Sequence, residues 1–142
     1  MIDSAAATGT SITDRNKQIV LGFYRNVFEA QNPDAIKDYV ADDYKQHNPH
    51  LPEGRAGLEQ LARNMFERMG PKPPSTTPHR QPELVMAEGD LVVMAVCFPQ
   101  PEPDDPSRTY PFFVFDAFRV RDGKISEHWS GINKIAPPIH LD

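Results

Sequence analysis

The hydrophobic pattern changes period near the middle of the chain, and that change decides the fold class. Up to Gly70-Pro71 the apolar residues recur at intervals of three and four; from Glu83 onward they form short runs rich in Val and Phe, separated by Gly-containing turns. Ser11-Ile12-Thr13-Asp14 predicts the capped start of a helix carrying Ile19, Val20, Phe23, Tyr24, Val27 and Phe28. Asn32-Pro33-Asp34 sets a cap residue before a first-turn proline, and so starts a short helix with Ile36, Tyr39 and Val40. A third helix follows Glu53-Gly54-Arg55, with Leu58, Leu61, Ala62, Met65, Phe66 and Met69 on one side. Strands are predicted at Glu83 to Ala87, Leu91 to Phe98, Tyr110 to Val120 and Ile125 to Asn133, with a short edge strand at Tyr44 to Asn48. Helices first and an antiparallel sheet afterwards is an α+β order, in which the helices cover one face of the sheet.

With 142 residues the chain makes one ordinary domain, expected at 13–135 between a tail at 1–12 and another at 136–142. An apolar fraction of 39% is enough for a folded core. The net charge of −5 lacks the basic excess that nucleic acids and anionic membranes require of their partners. Neither a membrane-length apolar run nor a basic, apolar leader is visible, which points to the cytoplasm. The lone Cys97 reads as a small buried hydrophobe rather than half of a disulfide or a metal ligand. Fifteen prolines, clustered at 71–82 and 99–111 and again at Pro137-Pro138, are read as marking loops and a tail. The stretch from Pro99 to Pro106 reads as a hairpin excursion in preference to a lid.

Strand alternation sorts Tyr110, Phe112, Val114, Asp116, Phe118 and Val120 onto one face. A carboxyl among large apolar neighbours is disfavoured as an anion, and a neutral acid donates a proton or a hydrogen bond. The same carboxyl also suits a purely structural pairing with a buried Arg or His. Whether His128 joins Asp116 depends on the turn. A two-residue Asp122-Gly123 turn pairs Arg121 with Lys124 and puts Glu127 and Trp129 on the Asp116 face. A three-residue loop with Gly123 as bulge pairs Val120 with Lys124 and sets His128 directly opposite Asp116. The Arg121-Asp122-Gly123 sequence favours the bulged form. His47 and His50, in a polar stretch leaving the second helix, have too little ligand spacing for a metal site to be expected. No phosphate-cradling glycine loop, dinucleotide fingerprint or nucleophile elbow is present, so no cofactor is expected.

Phe23-Tyr24, Asn32-Pro33-Asp34-Ala35-Ile36 and Ala41-Asp42-Asp43-Tyr44-Lys45-Gln46-His47-Asn48-Pro49 are followed by Phe115-Asp116-Ala117-Phe118-Arg119-Val120-Arg121-Asp122-Gly123-Lys124-Ile125 and Glu127-His128-Trp129. In that order the chain resembles the SnoaL-like polyketide cyclase family of the nuclear transport factor two-like, ketosteroid isomerase-like superfamily. The resemblance implies a cone-shaped, curved antiparallel sheet with three N-terminal helices closing over an apolar cavity, and a homodimer formed through the outer sheet face. It assigns Asp116 as acid or oxyanion donor and Tyr24 as a second donor. Asn48 falls where related isomerases carry a general-base aspartate, which leaves His47 or His128 as base. His128-Trp129-Ser130 also lacks the acidic residue that often follows this His-Trp pair.

The function expected is therefore cofactor-free acid/base chemistry on a small apolar carbonyl compound: cyclisation, isomerisation or dehydration. Asp116, His47 and His128 are the catalytic candidates, and Tyr24 and Asn48 orient the substrate. Phe23, Met65, Phe66, Phe112, Phe118 and Trp129 line its site. A non-catalytic ligand-binding or assembly module of the same fold is the alternative. Epoxide hydrolysis ranks third, because Arg119 has the wrong strand parity to join Asp116.

Overall fold

The computed structural model describes residues 11–71 and 82–131. The tails expected at 1–12 and 136–142 fall outside them except for Ser11 and Ile12, as do Pro73, Pro74, Pro78, Pro137, Pro138 and the last residues of the fourth predicted strand. Helix α1 spans Ile12–Phe23, and the Ser11 hydroxyl caps it by accepting from the Asp14 N–H at 3.1 Å. It buries Asn16, Val20 and Phe23 along one side. The Asn16 amide donates to the Gly89 carbonyl at 3.4 Å and ties the helix to a hairpin turn of the sheet.

Beyond Phe23 the helix widens into a π-helical turn over Tyr24–Glu29, in which the Ala30 N–H reaches back five residues to the Arg25 carbonyl at 3.0 Å. It closes at Gln31, whose φ of 52° is left-handed, with the Asn32 N–H bonded to the Val27 carbonyl at 2.9 Å. As expected, Asn32 then caps the next element, accepting from the Asp34 N–H. A 3-10 turn at Pro33–Ala35 leads into the single-turn helix α2, Ile36–Tyr39, and strand β1, Val40–Gln46. Helix α3, Gly54–Met69, buries Leu58, Ala62 and Phe66. Gly70 ends it at a positive φ of 71°, its N–H bonded to the Phe66 carbonyl at 3.1 Å.

Strands β2 (Leu84–Glu88), β3 (Leu91–Pro101), β4 (Thr109–Arg121) and β5 (Lys124–Ser130) join β1 in a five-stranded, curved and unclosed sheet of order β1-β5-β4-β3-β2. The predicted edge strand near Tyr44 exists, but it runs parallel to β5, so the sheet is mixed rather than antiparallel. Strands β1 and β5 are far apart in the chain, with α3 and three strands between them. No hairpin therefore forces them antiparallel.

Pro99, Pro101 and Pro111, read as loop markers, lie inside β3 and β4. Among the described residues β2 reaches only to Ala95 and β5 only to Asp116, and no other strand pairs with the β3–β4 hairpin beyond them. Prolines, which cannot donate to a ladder, are tolerated in such a place. The hairpin excursion itself is as expected. Its tip is closed by the Glu102 N–H donating to the Arg108 carbonyl and by Arg108 paired with Asp104 and Asp105.

The turn between β4 and β5 differs from the form favoured by the Arg121-Asp122-Gly123 sequence. Arg121 pairs with Lys124 around a two-residue Asp122-Gly123 turn, both at positive φ (51° and 74°), not around the bulged three-residue loop. The bulge lies farther along. Val120 pairs with Ile125 and Arg119 with Glu127, so Ser126 is the extra residue, its hydroxyl donating to the Arg119 carbonyl at 3.3 Å. One inserted residue reverses side-chain parity, and His128 returns to the Asp116 face. It sits opposite Phe118, one step diagonal from Asp116, which itself faces Ser130.

Candidate active site

An inner row of side chains crosses the whole sheet: Ala87, Val92, Phe118, His128 and Gln46, one from each strand in register. The adjacent row runs Val85, Met94, Asp116 and Ser130. Helices α1 and α3 cover this face without filling it, and a cavity of about 720 Å³ remains. Phe23, Phe28, Leu58, Met65, Phe66 and Phe118 supply much of its apolar wall. Its polar members are Tyr24, Glu29, Gln31, Tyr44, Gln46, Asp116 and His128. That volume suits an organic molecule of moderate size.

Asp116 Oδ1 lies 2.7 Å from His128 Nε2, and His128 Nδ1 lies 2.8 Å from Gln46 Oε1. Gln46 Oε1 also accepts from the Asn48 backbone N–H at 3.0 Å, while Gln46 Nε2 donates to the Tyr44 hydroxyl at 2.8 Å. An acceptor cannot receive a bond from a bare nitrogen, so the amide orientation puts a hydrogen on His128 Nδ1. Nε2 then meets Asp116 in one of two ways: as a lone pair facing a carboxylic acid, or as an N–H facing a carboxylate. Either way the contact holds one proton. The ring is 8% exposed and packs against Phe118, centroids 5.0 Å apart. Burial first, then the negative charges of Asp116 and Glu53, push the Tyr44 hydroxyl above the ordinary phenol range. Tyr44 is therefore held protonated, and since it accepts from Gln46 its own O–H remains able to donate.

The site residues expected from sequence divide into those on the cavity and those away from it. Asp116, His128, Tyr24, Phe23, Met65, Phe66 and Phe118 line it. His47 does not. Alternation along β1 turns Tyr44, Gln46 and Asn48 inward and His47 outward, where its Nε2 meets Glu127 Oε2 at 2.8 Å. There the ring stacks on Trp129 with centroids 4.7 Å apart, so Trp129 is also on the outer face and lines nothing. Phe112 has the predicted parity but sits where the hairpin has outrun its neighbours; it is 45% exposed and off the cavity wall. Asn48 is buried behind the wall, donating to the Ser130 hydroxyl and accepting from the His50 N–H at 2.9 Å.

With His47 and His128 on opposite faces, the two cannot share a metal, and among the described residues no three His, Cys, Asp or Glu side chains gather around a common point. Cys97 is partly exposed, on the outer row opposite Phe113, rather than buried. Arg119 faces outward, as its parity requires, held by both carboxylate oxygens of Asp90 at 2.8 Å and by Glu127 at 3.0 Å. Among the described residues no arginine lines the cavity. Tyr44 and Gln46 were absent from the sequence candidates. The signal for them was the same alternation: a strand at 44–48 puts residues 44, 46 and 48 on one face.

An α+β domain with an apolar cavity and a partly buried Asp–His pair on its sheet wall is the class these features define. A model of the SnoaL-like domain matches residues 20–128, and the chain belongs to that family. No curated protein matches it in sequence. Among solved structures it is similar to a candidate polyketide cyclase from Xanthomonas campestris pv. campestris (TM-score 0.62, 22% identity, covering 87% of this chain and 93% of that one). It is also similar to one from Bacillus cereus ATCC 10987 (0.60, 24%, 82% and 73%). An LEH-like epoxide hydrolase from M. tuberculosis shares the fold as well (0.57, 18%, 83% and 82%). These likenesses establish the fold. Among the described residues no helix is long and apolar enough to cross a membrane.

Proposed function

We propose that the protein is a cofactor-free acid/base catalyst that moves a proton at the carbon next to the carbonyl of a small, largely apolar compound. The observation that carries this reading is the 2.7 Å Asp116–His128 contact opening onto a cavity instead of a filled interior. His128 engages Oδ1, which leaves Oδ2 as the oxygen through which Asp116 meets a ligand. With the shared proton on Nε2, Asp116 is a carboxylate able to take the substrate proton. The pair then carries one positive charge and balances the enolate formed beside it. Tyr44 and Tyr24, whose side chains line the cavity, are the candidate donors to the enolate oxygen. Returning the proton to another carbon, or letting the enolate attack a second carbonyl, completes an isomerisation or an aldol-type cyclisation.

The same reading includes a homodimer through the outer sheet face. Its support is the exposed apolar surface there: Phe113 and Phe115 on β4, and Leu84 and Met86 on β2. A folded protein rarely leaves so much contiguous apolar surface in water.

Solvent deuterium exchange tests the chemistry without knowledge of the natural substrate. The protein is expected to accelerate loss of the α-proton signal of 1-tetralone in D2O, and Asp116→Asn to reduce that acceleration by about a hundredfold or more. Binding of the ketone with no acceleration of exchange would favour the non-catalytic module.

A further inference from the structure

The apolar wall of the cavity does not stop where the cavity does. Asp116, Val114, Phe112 and Tyr110 alternate along one face of β4, and across the hairpin Val96 stands opposite Val114 and Phe98 opposite Phe112. Asp116, Val114, Val96 and Phe98 line the cavity, whereas Phe112 and Tyr110 lie beyond it. Phe112 is thus flanked by two wall residues, Val114 on its own strand and Phe98 on the next, and yet it is 45% exposed, with Tyr110 36% exposed beyond it. The strip begins at the Asp–His pair and runs out to solvent. At about 3.4 Å per residue, Phe112 stands about 13 Å from Asp116 along the strand.

Nothing in the proton-transfer scheme uses the outer end of this strip. Strand addition along the hairpin is opposed by Pro99 and Pro111, which face each other across it and offer no N–H to a ladder. At the tip Arg108 is engaged by Asp104 and Asp105. What the strip presents is its face, two exposed aromatic side chains in continuity with the cavity, and apolar surface left exposed beside a cavity marks a ligand-binding groove.

We infer that Phe112, with Tyr110 beyond it, is a subsite for the far end of an elongated ligand: a carbonyl compound whose carbonyl lies at Asp116 and whose apolar chain runs along β4, out of the cavity and over Phe112. The inference rests on the carbonyl-binding reading of Asp116 and His128 and adds the length of the ligand. A short apolar body stays within the cavity, and only one that spans the distance from Asp116 gains contact with Phe112.

Equilibrium dialysis of the full chain against acetophenone, p-propylacetophenone and p-hexylacetophenone tests this. With the carbonyl at Asp116, the propyl compound ends short of Phe112 and the hexyl compound reaches it. A methylene fully removed from water is worth about fourfold in affinity, and one laid on a strip that covers a single side about twofold. The hexyl compound is therefore expected to bind wild type about eightfold more tightly than the propyl compound. Phe112 is no part of the buried core, so serine in its place leaves the fold intact. In Phe112→Ser the advantage of the hexyl compound should fall to about twofold or less, with the affinities for the two shorter ketones unchanged. Phe112→Leu, which keeps apolar surface at that point, should retain most of it. An advantage that is absent in wild type, or that survives in the serine variant, overturns the subsite while leaving the carbonyl site standing. So does a lower sedimenting mass for Phe112→Ser than for wild type, which would assign the residue to a contact between copies of the chain. Failure of wild type to bind any of the ketones would overturn the carbonyl reading and the inference together.

Discussion

Gln46 is the residue on which the geometry of the acid/base pair depends, and replacing it with leucine has a cost that can be worked out in advance. Its amide accepts from His128 Nδ1–H and the Asn48 N–H and donates to the Tyr44 hydroxyl. All three partners are largely buried: Tyr44 is 5%, Asn48 6% and His128 8% exposed. Leucine fills a similar volume but satisfies none of them. Taking about 1 kcal/mol for each orphaned group, the low end because water in the cavity can reach some of them, Gln46→Leu should cost about 3 kcal/mol. At a urea m-value of about 1.5 kcal/mol/M the midpoint moves down by about 2 M. A double-mutant cycle separates lost hydrogen bonds from lost packing. Tyr44→Phe should cost about 1 kcal/mol in wild type and close to nothing in the leucine background, where the hydroxyl has already lost its donor. A midpoint for Gln46→Leu within about 0.3 M of wild type would refute this network, as would an undiminished cost of Tyr44→Phe in that background.

Other consequences are equally open to measurement. His47→Gln should leave the tetralone exchange rate within about twofold of wild type, because the ring lies on the outer face; a loss comparable to that of Asp116→Asn would bring His47 back into the mechanism. Glu127 is held below the usual carboxylate range by its hydrogen bond to His47 first, then by Arg119, and Asp90 is held down by Arg119. Carboxyl groups depressed in the folded state add stability above their unfolded values and lose it as pH falls through the folded ones. Thermal unfolding should therefore shift to lower temperature on acidification through that range, and Arg119→Met should flatten the dependence; an unchanged acid limb would dismiss the network as a contributor. Phe115, 56% exposed on the outer sheet face, lies in the proposed dimer contact. Phe115→Glu should sediment as a monomer and wild type as a dimer, and a monomeric wild type would remove the homodimer.

The parts of this fold that follow from local rules were legible in the sequence. Ser11 and Asn32 cap the helices they were expected to cap, Gly70 stops α3, and the change of period places the strands. What the residues alone did not determine was decided by single-residue geometry. The Asp122-Gly123 turn is the two-residue kind, and the bulge that returns His128 to the Asp116 face sits at Ser126, with no glycine to announce it. Two deviations from the expected hairpin cancel in parity, which is why the Asp116–His128 juxtaposition agrees with a register that was wrong in detail. His47 stood out because histidine is the residue type most often recruited for proton transfer. Strand parity, already applied to Arg119, would have put it on the outside and drawn notice to Tyr44 and Gln46. Glu29 had no sequence signal, since nothing in Tyr24–Glu29 distinguishes a π-turn from continuing α-helix.

The central claim is that Asp116 and His128 hold one proton between them at the cavity wall, with Nδ1 kept protonated by Gln46. Nitrogen NMR of the imidazole of His128 in the ligand-free protein tests it most directly. The account predicts a hydrogen on Nδ1, facing Gln46, with the proton shared with Asp116 on the Nε2 side. A neutral ring carrying its hydrogen on Nε2, with Nδ1 bare, would contradict the assigned network and the proton-transfer scheme built on it.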